Sequence, residues 1–273
     1  MDQAYVHGYD SRENRRLQDQ AGTLVELFHH DTSYPAGSRV LEAGCGVGAQ
    51  TVTLARNSPD ASFVSIDVSA DSISTAKSAV ERAGLHNVHL RQADIFNLDF
   101  EPESFDHVFV CHVLEHLAQP EKALSILKSF LKDGGTITVI EGDHGSAYFY
   151  PDSESAHQAI QCQVELQRRA GGNAMIGRAL YPLLKKAGFN AVQVSPRMVY
   201  VDSGKPALVE GFIKNTFTAM IEGVRNDALK ARIIDGTVFD QGIRDLYRTA
   251  EPGGVFCYTF FKAMGIKSQT ASP

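Results

Sequence analysis

Short apolar runs alternate with amphipathic segments along the centre of this chain. From Arg39 onward, apolar runs of strand length are separated by segments in which apolar residues recur with helical spacing. This alternation is typical of a parallel sheet whose strands are joined by right-handed helical crossovers. The pattern predicts strands at 39–42, 62–67, 88–92, 105–110 and 136–141, and helices at 49–57, 69–83 and 120–132.

The pattern changes on both sides of this central region. Before it, Leu17, Ala21, Leu24 and Phe28 fall on one face of a predicted helix that starts near Ser11. After residue 150 the sequence predicts a helix at 153–169 and a second helix that ends at about 186. A strand at 191–200, a helical segment at 206–249 and a last strand at 254–261 follow.

An apolar stripe follows the helical segment 206–249. Its members are Val209, Phe212, Ile213, Phe217, Met220, Ile221 and Val224. Packing in the core accounts for most of such a stripe. An insertion between two strands also projects beyond the edge of a sheet, so this segment is a candidate cap over a substrate site.

A glycine-rich loop follows the first predicted strand. Gly44, Gly46 and Gly48 alternate with other residues, and a helical pattern begins at Ala49. A sharp turn from strand to helix favours glycine, which has no Cβ atom. Because glycine has no side chain, a ligand can also approach the backbone closely. Glu42 lies at the carboxyl end of the strand, where open α/β sheets bind ligands, and its carboxylate suits a cationic amine better than a phosphate.

Three interpretations of this loop are open. Gly44-x-Gly46-x-x-Ala49 matches a relaxed dinucleotide-binding pattern, in which a pyrophosphate lies at the helix N-terminus. A glycine-rich turn without a ligand is the second interpretation. The acidic residue and the third glycine favour a third one, because Glu42-x-Gly44-x-Gly46-x-Gly48 resembles motif I of the class I methyltransferases that depend on S-adenosyl-L-methionine (SAM).

Acidic residues also end the next two predicted strands. Asp67 can accept hydrogen bonds from both hydroxyls of a ribose, which fits SAM and NAD equally well. Asp94 can accept a hydrogen bond from the exocyclic amine of an adenine, and Ile95 can pack beside the adenine ring. We therefore assign Asp67, Asp94 and Ile95 to a predicted cofactor site, together with Val68.

The methyltransferase resemblance extends over about residues 40–200. The segment 105–117 looks like the fourth motif of small-molecule methyltransferases, and Lys132-Asp-Gly-Gly-Thr136 resembles the family's loop before strand five. The resemblance implies that Cys45 in the loop and the backbone of Cys111 and His112 line the cofactor, the latter two at the sulfonium.

The resemblance also implies the fold: an α/β, Rossmann-like, doubly wound and mostly parallel seven-stranded sheet whose last strand is antiparallel. The sequence pattern adds an N-terminal helix and a helical insertion before the last strand. The predicted units are an N-terminal helical segment, a SAM-binding core, a helical cap and a final strand with a tail, at 1–36, 37–200, 201–252 and 253–273.

The composition of the chain limits which binding partners are expected. The net charge is −6 and lysines and arginines do not cluster, which disfavours nucleic acid as a substrate. The four cysteines show no metal-ligand spacing, and Cys111 and His112 stand where magnesium-dependent catechol methylases need an acidic ligand, so no metal is expected. The sequence shows no signal peptide and no apolar run of membrane-spanning length, which predicts a cytoplasmic protein without a membrane partner. We expect a monomer or a homodimer.

The resemblance implies methyl transfer to a small-molecule acceptor by in-line displacement, in which the enzyme supplies proximity and excludes water. A general base helps if the acceptor arrives protonated, and His144 and His112 are the catalytic candidates, with His116 as a third. Tyr9 and Tyr5 are candidates to close over the methionine end of the cofactor. An NAD(P)-binding oxidoreductase and a non-catalytic SAM-binding protein are the alternatives.

Overall fold

The sequence alternation corresponds to a central sheet flanked by helices. The structure is a computed structural model that describes residues 22–268. The strands are β1 Arg39–Ala43, β2 Ser62–Asp67, β3 Val88–Gln92, β4 Phe105–Cys111, β5 Leu131–Gly142, β6 Tyr148–Tyr150, β7 Asn190–Asp202 and β8 Val255–Ile266. The helices are α1 (described over 22–29), α2 Ala49–Asn57, α3 Ala70–Arg82, α4 Pro120–Phe130, α5 Glu154–Arg169, α6 Leu180–Lys186, α7 Pro206–Leu208, α8 Ala219–Gly223, α9 Arg225–Lys230 and α10 Gly236–Arg248.

The sheet is doubly wound. Its strand order is β3-β2-β1-β4-β5-β8-β6, and β7 pairs with β8 on the side opposite β5. Strands β1 to β5 are parallel, whereas β8 runs antiparallel to its partners. The order reverses between β1 and β4, and a crevice outside the carboxyl ends of the strands is the usual ligand site at such a point.

All seven predicted strands are present, and the last one is antiparallel as the resemblance implied. Two details differ from the prediction. Strand β6 was not predicted, because three residues are too short to show a periodicity. Strand β5 begins at Leu131 instead of 136, because Leu131 already pairs with Phe105 of β4, and a shift in register separates this pair from the pair of His107 and Thr136.

The sheet separates two hydrophobic clusters. Along β1, Val40 packs into the cluster that also holds residues of α1, α5 and the segment before β8, while Leu41 and Ala43 pack into the cluster with α4 and α6. Burial on both faces explains why the neighbouring residues Val40 and Leu41 of β1 are both apolar, although they point to opposite faces of the sheet.

The segment between β7 and β8 is helical, as predicted, but it is broken into several pieces. A stretch of π-helix covers Val209–Thr218 between α7 and α8. Most of the apolar stripe is fully buried in the cluster that includes Phe256, Tyr258 and Phe260 of β8. The core therefore accounts for most of the stripe, as the sequence indicated.

An ion pair between the buried Lys262 and the exposed Asp31 fixes the end of α1 to the sheet. Lys262 of β8 is buried, and its Nζ atom lies 2.6 Å from Oδ1 of Asp31 and donates to the hydroxyl of Thr32. Arg197 of β7 pairs with the other oxygen of Asp31. These contacts place Phe28 of α1 against the residues that follow β4.

Across residues 22–268, the helices fall short of the length and apolar character that a bilayer span requires.

Candidate functional site

The predicted cofactor residues that the structure describes lie at the carboxyl ends of β1, β2, β3 and β4. Glu42 is in β1, Asp67 ends β2, and Cys111 ends β4, on either side of the point where the strand order reverses. Tyr9 and Tyr5 lie outside the described residues. The remaining predicted residues follow these strands and form one edge of the sheet.

The three glycines of the loop have different surroundings. All have positive φ angles, of 80° at Gly44, 52° at Gly46 and 79° at Gly48. A Cβ atom on Gly44 would collide with the side chain of Val113, and one on Gly48 would lie 3.0 Å from Ala76 of α3. A Cβ atom on Gly46 would meet no atom of residues 22–268 within 4 Å. Packing within the protein therefore explains two of the glycines, while Gly46 faces open space where a ligand can lie against the backbone.

Asp67 holds the loop in this conformation. Its Oδ2 atom accepts a hydrogen bond from the backbone N–H of Gly46 at 2.9 Å, and its Oδ1 atom accepts one from Ser69 at 2.9 Å. Burial raises the pKa of Asp67, and these backbone hydrogen bonds oppose that rise. Because each carboxylate oxygen has more than one lone pair, Asp67 can still accept from a ligand. Val68 beside it is 58% exposed.

Glu42 lies beneath the loop and is only 2% exposed. Its Oε2 atom accepts hydrogen bonds from the hydroxyls of Thr51 in α2, at 2.7 Å, and Ser65 in β2, at 2.6 Å. Burial raises the pKa of Glu42 to about 7, although the two hydroxyl donors act in the opposite direction. One oxygen therefore joins β1, β2 and α2, a structural role that the sequence did not predict.

We expect Glu42→Gln to change how stability depends on pH. The pKa of Glu42 is about 7 in the folded protein and 4.5 when unperturbed, so the native state holds the proton more tightly. The stability from this group is complete below pH 4.5 and is lost as the pH rises through 7. Between pH 4.5 and 8, the unfolding free energy of the wild type should fall by about 3 kcal/mol relative to Glu42→Gln.

Urea denaturation at several pH values measures this difference. Glu101→Gln, at an exposed position, is the control and should show the same pH dependence as the wild type. A constant difference between the wild type and Glu42→Gln across this range would contradict the raised pKa.

The exit of β3 contains the two predicted adenine contacts. Asp94 is exposed, and its Oδ1 atom accepts from the backbone N–H of Phe96 at 2.9 Å, which caps the short turn Ile95–Asn97. Ile95 is 8% exposed and packs in the cluster with Val110 of β4. The carboxylate therefore remains open to solvent beside an apolar surface.

The exit of β4 turns sharply at His112. This residue has a φ of 55°, which is uncommon for a residue other than glycine, and its N–H donates to the carbonyl of Ile140 at 2.9 Å. Its ring packs with Phe28 and Phe260, at centroid distances of 5.7 and 5.5 Å. Burial raises the pKa of the preceding Cys111 thiol, so this cysteine is not a thiolate nucleophile.

Two buried carboxylates, which sequence reasoning missed, lie next to this turn. Glu141 of β5 is fully buried, and its Oε1 atom accepts from the N–H groups of Val113, at 3.0 Å, and Leu114, at 2.8 Å. Its Oε2 atom is buried without a hydrogen-bond partner among the described residues. A glutamate inside the apolar run 136–141 was the sequence signal that could have identified it.

Glu115 is the second buried carboxylate. Its Oε2 atom accepts from Nε2 of Gln167 in α5 at 3.1 Å, and its Oε1 atom lies 3.9 Å from Nδ1 of His112 and 3.7 Å from Nε2 of His116. Burial alone raises the pKa of Glu115, but positive charge on the neighbouring histidines outweighs it and holds the pKa at about 2. Burial and the charge of Glu115 raise the pKa of Glu141.

His144 lies where β5 ends, in contact with the helical segment before β8. It is buried, with Nδ1 3.0 Å from the hydroxyl of Tyr258 and Nε2 3.4 Å from Sδ of Met220. The ring of Phe217 lies 6.2 Å away between centroids. Met220 and Phe217 belong to the apolar stripe, so the predicted cap reaches the predicted catalytic histidine.

Asp143, directly before His144 in the chain, has a structural role. Its carboxylate forms a bidentate pair with Arg178, with Nε–Oδ2 and Nη2–Oδ1 distances of 2.5 and 2.8 Å, and it accepts from the N–H of Gly145. These bonds fix the turn that carries His144.

Comparison with known proteins places this arrangement in a family. The family model of a methyltransferase domain matches residues 35–188, more than half of the 273-residue chain. An uncharacterized methyltransferase of Schizosaccharomyces pombe is 30% identical over 148 residues, which are 52% of this chain and 53% of that protein. The (S)-coclaurine N-methyltransferase of Papaver somniferum is 26% identical over 144 residues, which are 52% of this chain and 41% of that enzyme.

A solved structure agrees at the level of the fold. Phosphoethanolamine N-methyltransferase 2 of Haemonchus contortus, in complex with phosphomonomethylethanolamine and S-adenosylhomocysteine, superposes with a TM-score of 0.57 at 18% identity, covering 92% of this chain and 53% of that chain. This chain spans about half the length of the curated relatives it matches. The resemblance seen in the sequence is confirmed, because one family match covers the glycine-rich loop, the acidic strand ends and the exit of β4: the chain belongs to the methyltransferase domain family.

Proposed function

We propose that this protein binds SAM at the carboxyl edge of the sheet and transfers its methyl group to a small-molecule acceptor. The observation that carries the proposal is the loop conformation. Asp67 accepts from the N–H of Gly46, and a Cβ atom on Gly46 would have no neighbour within 4 Å in the part of the chain that the structure describes. The names of the Schizosaccharomyces pombe and Papaver somniferum relatives, both methyltransferases, support the reaction type. The S-adenosylhomocysteine in the Haemonchus contortus structure supports the cofactor.

Six of the predicted residues have a proposed part in holding the cofactor. Asp67 accepts from the ribose hydroxyls, and Asp94 accepts from the adenine amine, with Ile95 and Val68 beside it. The loop backbone around Cys45 and the turn at His112 lie against the methionine end. SAM supplies an activated methyl group on a sulfonium, and the protein's own contribution is alignment and exclusion of water.

The segment 201–252 is proposed to cap the acceptor side. Support comes from Met220 and Phe217, which contact the buried His144. A covered site of this kind suits a small molecule better than a polymer, and the net charge of −6 does not favour nucleic acid. The four cysteines are free thiols, which fits a reducing, cytoplasmic compartment.

Two measurements test the proposal. Calorimetry with SAM and with NADH on the full chain should give binding of SAM alone. Release of S-adenosylhomocysteine in the presence of a panel of small amines, phenols and carboxylic acids should then identify the acceptor class. Binding of NADH without SAM would favour an oxidoreductase, and SAM binding with no turnover across the panel would favour a non-catalytic SAM-binding protein.

We propose that His144 is the general base. A base at Nε2 requires the tautomer in which Nδ1 carries the proton and donates to the Tyr258 hydroxyl. The weak contact of Nε2 with the Met220 thioether can then be replaced by a hydroxyl or amine of the methyl acceptor, which donates to Nε2. Once an acceptor is known, His144→Gln should lower kcat by about 10²–10⁴-fold and leave the Kd for SAM unchanged.

Tyr258→Phe is the matched control for this base. It removes the hydroxyl at Nδ1 but keeps the ring packing, so its kcat should fall much less than that of His144→Gln. An unchanged kcat in His144→Gln would remove the residue from the mechanism, and a matching loss of SAM affinity would assign it to cofactor binding.

A further inference from the structure

Three potential ligand side chains meet beside the exit of β4. His112, Glu115 and Glu141 each offer one nitrogen or oxygen atom, and these atoms all lie within 4.8 Å of one another. Nδ1 of His112 is 3.9 Å from Oε1 of Glu115. A metal ion about 2.1 Å from each ligand would hold the ligand atoms up to about 4.2 Å apart, so small side-chain movements suffice to close the site.

The second oxygen of each carboxylate is already held. Oε1 of Glu141 accepts from two backbone N–H groups, of Val113 and Leu114, and Oε2 of Glu115 accepts from Gln167, which is itself buried. Metal-ligating carboxylates are oriented in this way by a surrounding shell of hydrogen-bond donors. Each carboxylate is therefore fixed through one oxygen, and the other oxygen of Glu115 lies 3.9 Å from Nδ1 of His112.

The remaining oxygen of Glu141 requires an explanation. Glu141 is fully buried, and its Oε2 atom has no hydrogen-bond partner among residues 22–268. A buried carboxylate oxygen without a partner is costly, and buried charges are normally paired or coordinated to a metal. Within the same described range, the ion pairs of the adjacent Glu115 are with histidines, which are also metal ligands when neutral.

We propose that His112, Glu115 and Glu141 bind one divalent metal ion that accepts mixed nitrogen and oxygen ligands, such as Mn²⁺ or Zn²⁺. No metal was expected from the cysteine spacing or from the catechol-methylase pattern. The proposal rests on this cluster alone and does not depend on SAM binding, so either can fail without the other. If both hold, the ion lies beside the proposed methyl-transfer site, where it can bind an oxygen of the acceptor.

Titration of the chelator-treated full chain with MnCl₂ or ZnCl₂ tests the site. Calorimetry should give one equivalent of bound ion, and Mn²⁺ binding should remove the spin-resonance signal of the free ion. Glu141→Gln and Glu115→Gln should each weaken binding at least tenfold. Glu141→Gln keeps an oxygen that can accept from Val113 and Leu114, and His112→Phe keeps the ring between Phe28 and Phe260 while removing both nitrogens.

The control is a surface pair of the same chemistry. Nε2 of His157 lies 2.9 Å from Oδ1 of Asp152, whose side chain is exposed, and Asp152→Asn should bind the ion like the wild type. Circular dichroism of each variant checks that the fold is kept. Absence of stoichiometric binding by the wild type, or equal binding by the wild type, Glu141→Gln and His112→Phe, would overturn the proposal.

Discussion

Replacement of Gly46 by valine should abolish SAM binding, with a loss of at least about 100-fold in affinity. A Cβ atom at this position would meet no atom of residues 22–268 within 4 Å. The two methyl groups of valine would therefore extend into the space proposed for the ligand. The N–H of Gly46 is also bonded to Asp67, which keeps the loop from moving aside. Calorimetry with SAM measures the effect.

Gly37→Val is the control that distinguishes a blocked binding site from the effect of a strained backbone. Gly37 has a φ of 78°, and a Cβ atom there would have no neighbour within 4 Å among the described residues. It lies in the turn before β1, away from the glycine-rich loop. Both substitutions place a β-branched residue in a left-handed conformation, and both are expected to lower stability. Only Gly46→Val should lose SAM, and normal SAM binding by that variant would show that the loop does not hold the cofactor.

Asp67→Ala should weaken SAM binding by about 1.5–3 kcal/mol, the range for hydrogen bonds to a charged group. This corresponds to roughly a 10- to 150-fold rise in Kd. Because Asp67 also accepts from Gly46, part of the loss would come from the loop. Asp67→Asn keeps an oxygen that can accept from Gly46 and should lose less.

Asp60→Ala is the control at the other end of β2. Asp60 is exposed and precedes the strand, so its removal should leave the Kd for SAM unchanged. Equal affinity of the wild type and Asp67→Ala would exclude the ribose contact, and equal losses in Asp67→Ala and Asp67→Asn would show that the charge matters more than the support of the loop.

The sequence by itself determined most of the sheet and the edge at which the acidic strand ends lie. Apolar runs fully buried in β1 and β4 produce a local signal, and the glycines at 44, 46 and 48 are required by the turn that directly follows β1. Because the carboxyl ends of parallel strands share one edge, Asp67 and Asp94 could be assigned to that edge before any contact was known. Family membership followed from the same local motifs.

The tertiary structure alone decided which side chains meet. Cys111 pairs with Ile140 in the β4–β5 register, and this pairing brings His112 and Glu115 beside Glu141. The contact between Met220 and His144 likewise depends on how the segment before β8 packs over the sheet. Periodicity along a chain reports which face of an element is buried, whereas contacts between distant residues depend on strand register and helix packing, which neighbouring residues do not encode.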